Sequence, residues 1–322
     1  MKIRYIYIII LLLAGVLFIR QSGIKELPMA IGEPLEIIII KNTDQHDDNF
    51  YQLLRNFLSV EIGPSPQPER VLNIIELDQT SFKGIFKRHQ NLLFVTKSDT
   101  FSIKHTDNIF AKNQNAVFLN SHSSKDLLSN KQKIVDLVFQ IKEMEIKRQI
   151  LKYKNQNNIE LQRIINNKHN LSILLPKKFF LALDSQKTTW FRNETPKIGQ
   201  GILLSNLDHK DTSLSPYKIC RVVDSIVKAN ILGPLENSYM TFESRAQKSI
   251  DTIMLGGFSA IKIQSLWRME NDFMGGVYQL YYIPGNQSVR DRIIYTYVYA
   301  PGENKKIPLM HLESIVQTAD FF

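Results

Sequence analysis

The segment Leu266-Trp267-Arg268-Met269-Glu270-Asn271-Asp272-Phe273-Met274-Gly275-Gly276-Val277-Tyr278 gathers the residue types best suited to chemistry. Arg268, Glu270 and Asp272 stand close together, bracketed by Trp267 and Phe273. A carboxylate pair beside a guanidinium is what acid/base work, or capture of a polar ligand, requires. Exposed aromatic rings on a turn add a face for an apolar partner. The same residues also read as a plain hairpin turn, with Gly275 and Gly276 supplying positive φ and the charges solvated. A second candidate is Arg88-His89, between a short helix and a strand, where a cation and an imidazole could hold an anion. A solvated loop histidine is the plainer reading of it.

Little else in the chain carries a catalytic signature. Gly256-Gly257 precedes a strand instead of following one, so no phosphate-cradling loop is expected, and neither a Walker sequence nor a G-x-S-x-G elbow is present. The seven histidines, at 46, 89, 105, 122, 169, 209 and 311, form no closely spaced pair of the zinc-enzyme kind. Cys220 is the single cysteine, which excludes an intramolecular disulfide and a cysteine-based metal site; its apolar neighbours Ile219, Val222 and Val223 mark it as a core residue. No metal and no cofactor are expected.

The elements that must position these residues follow from periodicity. Glu36 to Ile40 is a continuous β-branched run, the pattern of a strand buried on both faces. A helix with Phe50, Leu53, Leu54, Phe57 and Leu58 on one face follows, then strands over 71–77 and 92–96 with a short helix from Ser81 to Lys87 between them. Residues 99–119 read as a strand pair. From Ser124 the spacing predicts a long helix with Ile134, Leu137, Ile141, Met144 and Leu151 as its stripe, running to Asn155 or on to Lys168. Beyond it lie strands at 171–175, 190–192 and 201–205, a helix from Ser215 to Ala229 with Pro216 in its first turn, alternating strands through 261–300, and a closing helix over 308–318. Tyrosines 278, 281, 282, 295, 297 and 299 alternate, and some of them fall on an open face as an aromatic partner surface or pack against a helix. The fold class is α+β: a first α/β domain over 35–168 ending in a basic helix, and a second α+β domain over 169–322 built as an antiparallel sheet with helices on one face.

Ahead of these domains, Lys2 and Arg4 precede fifteen uncharged, mostly aliphatic residues, Tyr5 to Ile19, and then Arg20. That layout is an export signal or a membrane anchor. The bulky Val16-Leu17-Phe18-Ile19 before Arg20 disfavours cleavage, so residues 1–20 are read as an uncleaved signal anchor and 21–34 as a linker; secretion after cleavage is the alternative. An inner-membrane anchor facing the periplasm is the expected address. The formal net charge is +9, and between Lys125 and Lys168 ten Lys/Arg stand against five Asp/Glu. Outside the cytoplasm such a basic face points to anionic lipid, through Lys147, Arg148, Lys152 and Lys154, or to an acidic envelope partner. No nucleic acid is expected, because no aromatics interleave with the basic residues as a stacking platform.

Several stretches together resemble a known family: Gln67-Pro-Glu-Arg70, Asp78 to Phe82, Arg88-His89 to Val95, Gly233 to Thr241, Trp267 with Asp272 to Gly276, and Tyr297 to Pro301. They are similar to an uncharacterised family of Bacteroidota cell-envelope proteins, usually described as candidate lipoproteins with a domain of unknown function. The resemblance spans nearly everything after the anchor and implies an envelope location, but no catalytic residue. No cysteine follows the apolar run, so lipidation there is impossible. By fold-level analogy the second half is similar to small modules of the photosystem-associated and Ran-binding type, which are mostly binding modules. The expected function is therefore a membrane-anchored, non-enzymatic binding or assembly module of the envelope; the alternative is an envelope hydrolase using Glu270, Asp272 and Arg268.

Overall fold

A computed structural model describes residues 26–207, 214–285 and 290–322. The anchor expected at residues 1–20 lies outside the described residues. Among the described residues, no helix is long and apolar enough to cross a membrane.

The chain folds as mixed α/β, on two sheets. The first has the order β2-β1-β3-β5-β4, from β1 (Glu36–Lys41), β2 (Asn73–Asp78), β3 (Asn91–Lys97), β4 (Ser102–Asp107) and β5 (Asn115–Ser121). β1, β2, β3 and β5 run parallel, and β4 returns antiparallel on the edge. The isoleucine run of β1 explains its central place: Ile37 and Ile39 face one core, Ile38 and Ile40 the other. Each such fully buried side chain contributes about 1.5–3 kcal/mol. Helices α1 (Asp48–Leu58), α2 (Ser124–Ser129) and α3 (Lys131–Lys154) contribute Phe50, Leu54, Leu127, Leu137 and Ile141 to the first of those cores. The opposite face is closed by short 3-10 turns and by Phe82 and Phe110.

The long helix ends sooner than its composition suggests. Asn155 to Asn158 break it, and Asn158 caps a separate helix α4 (Ile159–His169) by accepting from the Leu161 N–H. Asparagine competes for the backbone through its side chain, which favours a cap over helix continuation. The stripe of α3 also differs from expectation. Leu151 is exposed, while Val138, Glu145, Ile146 and Tyr153 turn inward with Ile134, Leu137 and Ile141.

The second sheet is antiparallel, in the order β10-β12-β13-β14-β9-β8-β7, with β11 also on β12. Its strands are β7 (Phe180–Asp184), β8 (Thr188–Glu194), β9 (Gly199–Leu207), β10 (Tyr239–Phe242), β11 (Ser249–Leu255), β12 (Phe258–Glu270), β13 (Gly275–Ile283) and β14 (Asp291–Tyr299). Helices cover both faces, where the sequence suggested one. Helix α5 (Pro216–Asn230) packs Ile219, Cys220, Val223 and Val227 onto the face carrying Tyr278, Tyr282, Tyr295 and Tyr297. Helices α4 and α6 (Lys306–Val316) cover the other, which carries Phe191, Tyr281 and Val298. Strands apolar on both sides require two covers, and of the tyrosines singled out in the sequence Tyr278, Tyr281, Tyr282 and Tyr295 are buried in those cores, whereas Tyr299 is only partly buried. A small pair, β6 (Leu171–Ser172) with β15 (Asp320–Phe321), ties the two ends of this half together.

Helix α6 also joins the two halves. Glu69 of the first half accepts from the Lys305 and Lys306 peptide N–H groups at 2.8 and 3.1 Å, capping the start of α6. Met310 of α6 enters the first core, and the buried Glu313 carboxylate pairs with Lys142 of α3 and Lys262 of β12, each at 2.5 Å.

Candidate functional site

The turn singled out in the sequence joins β12 to β13, and strand alternation divides its residues between two environments. Arg268 is exposed, with Nη2 on Glu270 Oε2 at 2.7 Å and Nε at 3.6 Å from Glu243 Oε2. These carboxylates hold the guanidinium above its ordinary pKa. Asp272 accepts from the Phe273 N–H, and the Phe273 side chain stands fully in solvent. Arg268, Glu270 and Asp272 face none of the described cavities. The positive φ of the turn belongs to Asn271, at 57°, and not to the glycines. Gly275 and Gly276 lie within β13, and the missing Cβ matters for packing: on Gly276 it would stand 2.0 Å from the Val298 oxygen and 2.9 Å from Trp267 Nε1. That gap lets the buried Trp267 indole cross the strand and donate to Val298 O at 3.3 Å.

Trp267 leads to a concavity lined by aromatic rings and thioethers. A cavity of about 370 Å³ lies between the sheet face and the 231–234 segment after α5. Trp190, Trp267, Tyr297 and Tyr299 line it together with Met240, Met269 and Met274. Small residues shape it. A Cβ on Gly201 would meet the Tyr297 ring at 2.0 Å, and one on Gly233 would meet Ser238 Oγ at 2.2 Å and Met269 Cε at 2.6 Å. At the rim, Arg192 lies over the Trp190 ring, 5.0 Å from its centre, and pairs with Glu194. Burial pushes the Tyr297 hydroxyl up to about 12, so it stays a neutral phenol. An aromatic and thioether lining with few polar groups is suited to an apolar guest, and methionines repack around guests of different shape. The sequence reading reached Trp267 but missed Trp190, Arg192 and Met240. The usable signal was that the chain's two tryptophans lie on strands with aromatic alternation.

Arg88 and His89 sit elsewhere, at the opposite half of the molecule. His89 is buried, not solvated: Nε2 meets Glu36 Oε1 at 2.8 Å and Nδ1 meets the Asn91 oxygen at 3.0 Å. Arg88 donates to Met29 O at 3.1 Å. The imidazole thus faces a carboxylate of its own chain instead of an external anion. Asn91 continues the network to Glu145, which Arg148 holds at 2.6 Å while also reaching Gln90 O at 3.1 Å. Arg148 therefore leaves the basic surface of α3, on which Lys147, Lys152 and Lys154 remain exposed. Among the described residues no group of three or more His, Cys, Asp or Glu is placed to hold a metal.

Comparison with known proteins yields families more than functions. Residues 30–154 match the profile described as Domain of unknown function (DUF8532). No curated protein matches the chain. Among solved structures, the chain is similar to a point mutant of the protein Mog1, with 14% identity and a TM-score of 0.31 over 47% of this chain and 89% of that one. The Ran-binding protein Mog1p of Saccharomyces cerevisiae aligns at 12% identity and a TM-score of 0.30 over the same shares, 47% and 89%. LpqN, involved in cell envelope biogenesis of Mycobacterium tuberculosis, aligns at 15% identity and a TM-score of 0.27 over 47% of this chain and 82% of that one. At these scores the likeness is coarse and says nothing of what this chain binds. Half of the chain, residues 157–318, matches a further profile, and the chain belongs to that family, described as Domain of unknown function (DUF4837).

Proposed function

We propose that this protein is a non-enzymatic binding module of the cell envelope, which takes an apolar group of its ligand or partner into the cavity between β8, β9, β14 and the 231–234 segment. One observation carries the reading: both tryptophans, two tyrosines and three methionines line a single cavity of about 370 Å³ whose rim holds an Arg192–Glu194 pair. The volume falls within the range of small-molecule sites, and the lining is of the mostly apolar kind they share. Glu270 and Asp272 stand outside it, and Arg268 is already neutralised by Glu270 and Glu243, which favours binding over carboxylate catalysis. The anchor over residues 5–19, the periplasmic orientation and the kinship with Bacteroidota envelope proteins belong to the same proposal. The basic pair ahead of a fifteen-residue uncharged run supports the anchor and its orientation, and the resembling stretches between residues 67 and 301 support the kinship.

The test uses the full chain and the uncharged fluorophore N-phenylnaphthylamine. Saturable binding is expected, with energy transfer from tryptophan, because both indoles line the cavity. Leu232→Glu places a charge on an exposed residue of the lining and is expected to weaken binding at least tenfold without unfolding the protein. Binding without energy transfer, or binding untouched by L232E, would overturn the reading.

A further inference from the structure

A second, chemically different site lies in the first half. The chain leaves β1 through α1 to reach β2 on one side, then crosses back through the 3-10 turns to reach β3 on the other. The crossovers run in opposite directions and use opposite faces of the sheet. The carboxyl ends of β1 and β3 therefore part, and open α/β sheets place their ligand crevice at such a point. Here that point holds a cavity of about 200 Å³. Asn42, Gln45, Gln79, Thr96, Phe82 and Phe94 line it, and its lining holds no charged side chain.

The polar groups are oriented in advance. Asn42 Oδ1 accepts from the Asp44 N–H at 3.2 Å, and Gln45 Oε1 accepts from the Lys97 N–H at 2.9 Å. With both amide oxygens held by the main chain, the two NH2 groups remain as donors; none of the described hydrogen bonds uses them. Tyr51 fixes the Asn42 backbone, its hydroxyl accepting from Asn42 N at 2.8 Å. The Phe82 and Phe94 rings meet edge to face, 5.4 Å apart at 87°, and Phe94 also stacks on Phe118, so the rings form an apolar wall and not a two-sided clamp. The β1–α1 turn, where dinucleotide-binding sheets place glycines under a phosphate, carries Asp44 and Asp47, and Asp47 already caps α1 through the Phe50 N–H. The lining itself offers no cation to pair with an anionic ligand.

We infer that this crevice binds an uncharged ring rich in oxygen acceptors, of the size and chemistry of one neutral sugar residue. Its hydroxyl oxygens would take the Asn42 and Gln45 NH2 groups, Gln79 and Thr96 would pair with further hydroxyls, and a C–H face would rest on a phenylalanine ring. The volume of about 200 Å³ matches one ring better than a whole nucleotide or a lipid chain. A free monosaccharide and the end of a glycan chain share this chemistry.

Isothermal titration of the full chain with N-acetylglucosamine, glucose, chitotriose, uracil and adenine tests it. Saturable binding of a neutral saccharide is expected, weakened roughly tenfold by Asn42→Ala or by Gln79→Ala, the effect of one lost hydrogen bond. Gln79 is exposed, so Q79A tests the site even if N42A fails to fold, and far-ultraviolet circular dichroism with a denaturation midpoint checks folding of each variant. Tighter binding of the trisaccharide identifies a glycan end as the source; equal binding identifies a free sugar. No saccharide binding, binding unchanged in Q79A, or preference for uracil or adenine would overturn the inference.

Discussion

The two halves build their concavities in different places, and the reason lies in how each sheet is covered. In the first sheet, α1 and α3 pack on one face and Phe82 and Phe110 close the other, and the strand ends collect its polar groups. The amino ends hold the Glu36–His89–Asn91–Glu145–Arg148 network, and the carboxyl ends hold the crevice lined by amides. In the antiparallel sheet, α5 covers only part of a face, and the remainder becomes a cavity of rings and thioethers. Parallel strands thus collect polar chemistry at their ends, whereas an antiparallel face can keep an apolar hollow in its middle.

The comparison can be broken by removing what shapes each half. The largest effect is expected for Trp267→Ala, which empties a packed position beside Gly276 and Tyr297. A loss of about 4 kcal/mol in chemical denaturation is expected, from the range for large aromatic-to-alanine changes. A loss under about 1 kcal/mol would mean that this face is not packed as described. Next comes Glu313→Gln, which leaves the inward-facing Lys142 and Lys262 without their carboxylate. Breaking a buried pair on one side costs about 3 kcal/mol, and here it also weakens the joint between the halves. Those two lysines hold the Glu313 carboxyl down to about 2 against the burial that opposes ionisation, so its contribution is present above pH 4.5 and fades as pH falls toward 2.

A separate effect, of similar size per histidine, is expected from mild acid. Burial lowers His169 and His311 from 6.5 to about 4, because the fold accepts only their neutral forms. The unfolded chain binds more protons between those values, so stability is full above pH 6.5 and declines as pH falls toward 4. The shift limits the loss at His169 to roughly 3 kcal/mol. Denaturation midpoints that stay flat from pH 7 to about 4 would contradict the burial of these imidazoles. The smallest effect belongs to Arg268→Ala and Glu270→Ala. Both side chains are solvent-facing partners in a surface ion pair, and each substitution is expected to cost less than about 1 kcal/mol and to leave probe binding in the cavity unchanged.

Much of the architecture was legible in residue order, and the failures have physical causes. The isoleucines of β1, the Pro216 helix and the buried Cys220 follow directly from periodicity and capping. The end of α3 was ambiguous because apolar residues resume after Asn158; only the cap geometry shows that a new helix starts there. The chemistry of the 266–278 segment was split by alternation: Trp267 and Met269 turn into the cavity, while Arg268 points away from it. Proximity in sequence had grouped what a strand separates. Gly275 and Gly276 were legible as important but for a different reason, since packing against Trp267 is invisible without the neighbouring strand. His89 carries no local sign of Glu36, fifty-three positions away, that buries it.

Central to the functional reading is that the cavity of the second half accepts an apolar guest. Acrylamide quenching of the full chain, with and without a saturating long-chain neutral detergent below its micelle concentration, measures this at the two tryptophans that line it. Blue-shifted emission and reduced quenching are expected on addition of the detergent in the wild type, and neither change in L232E. Emission and quenching that stay the same in the wild type, or that change equally in L232E, would contradict it.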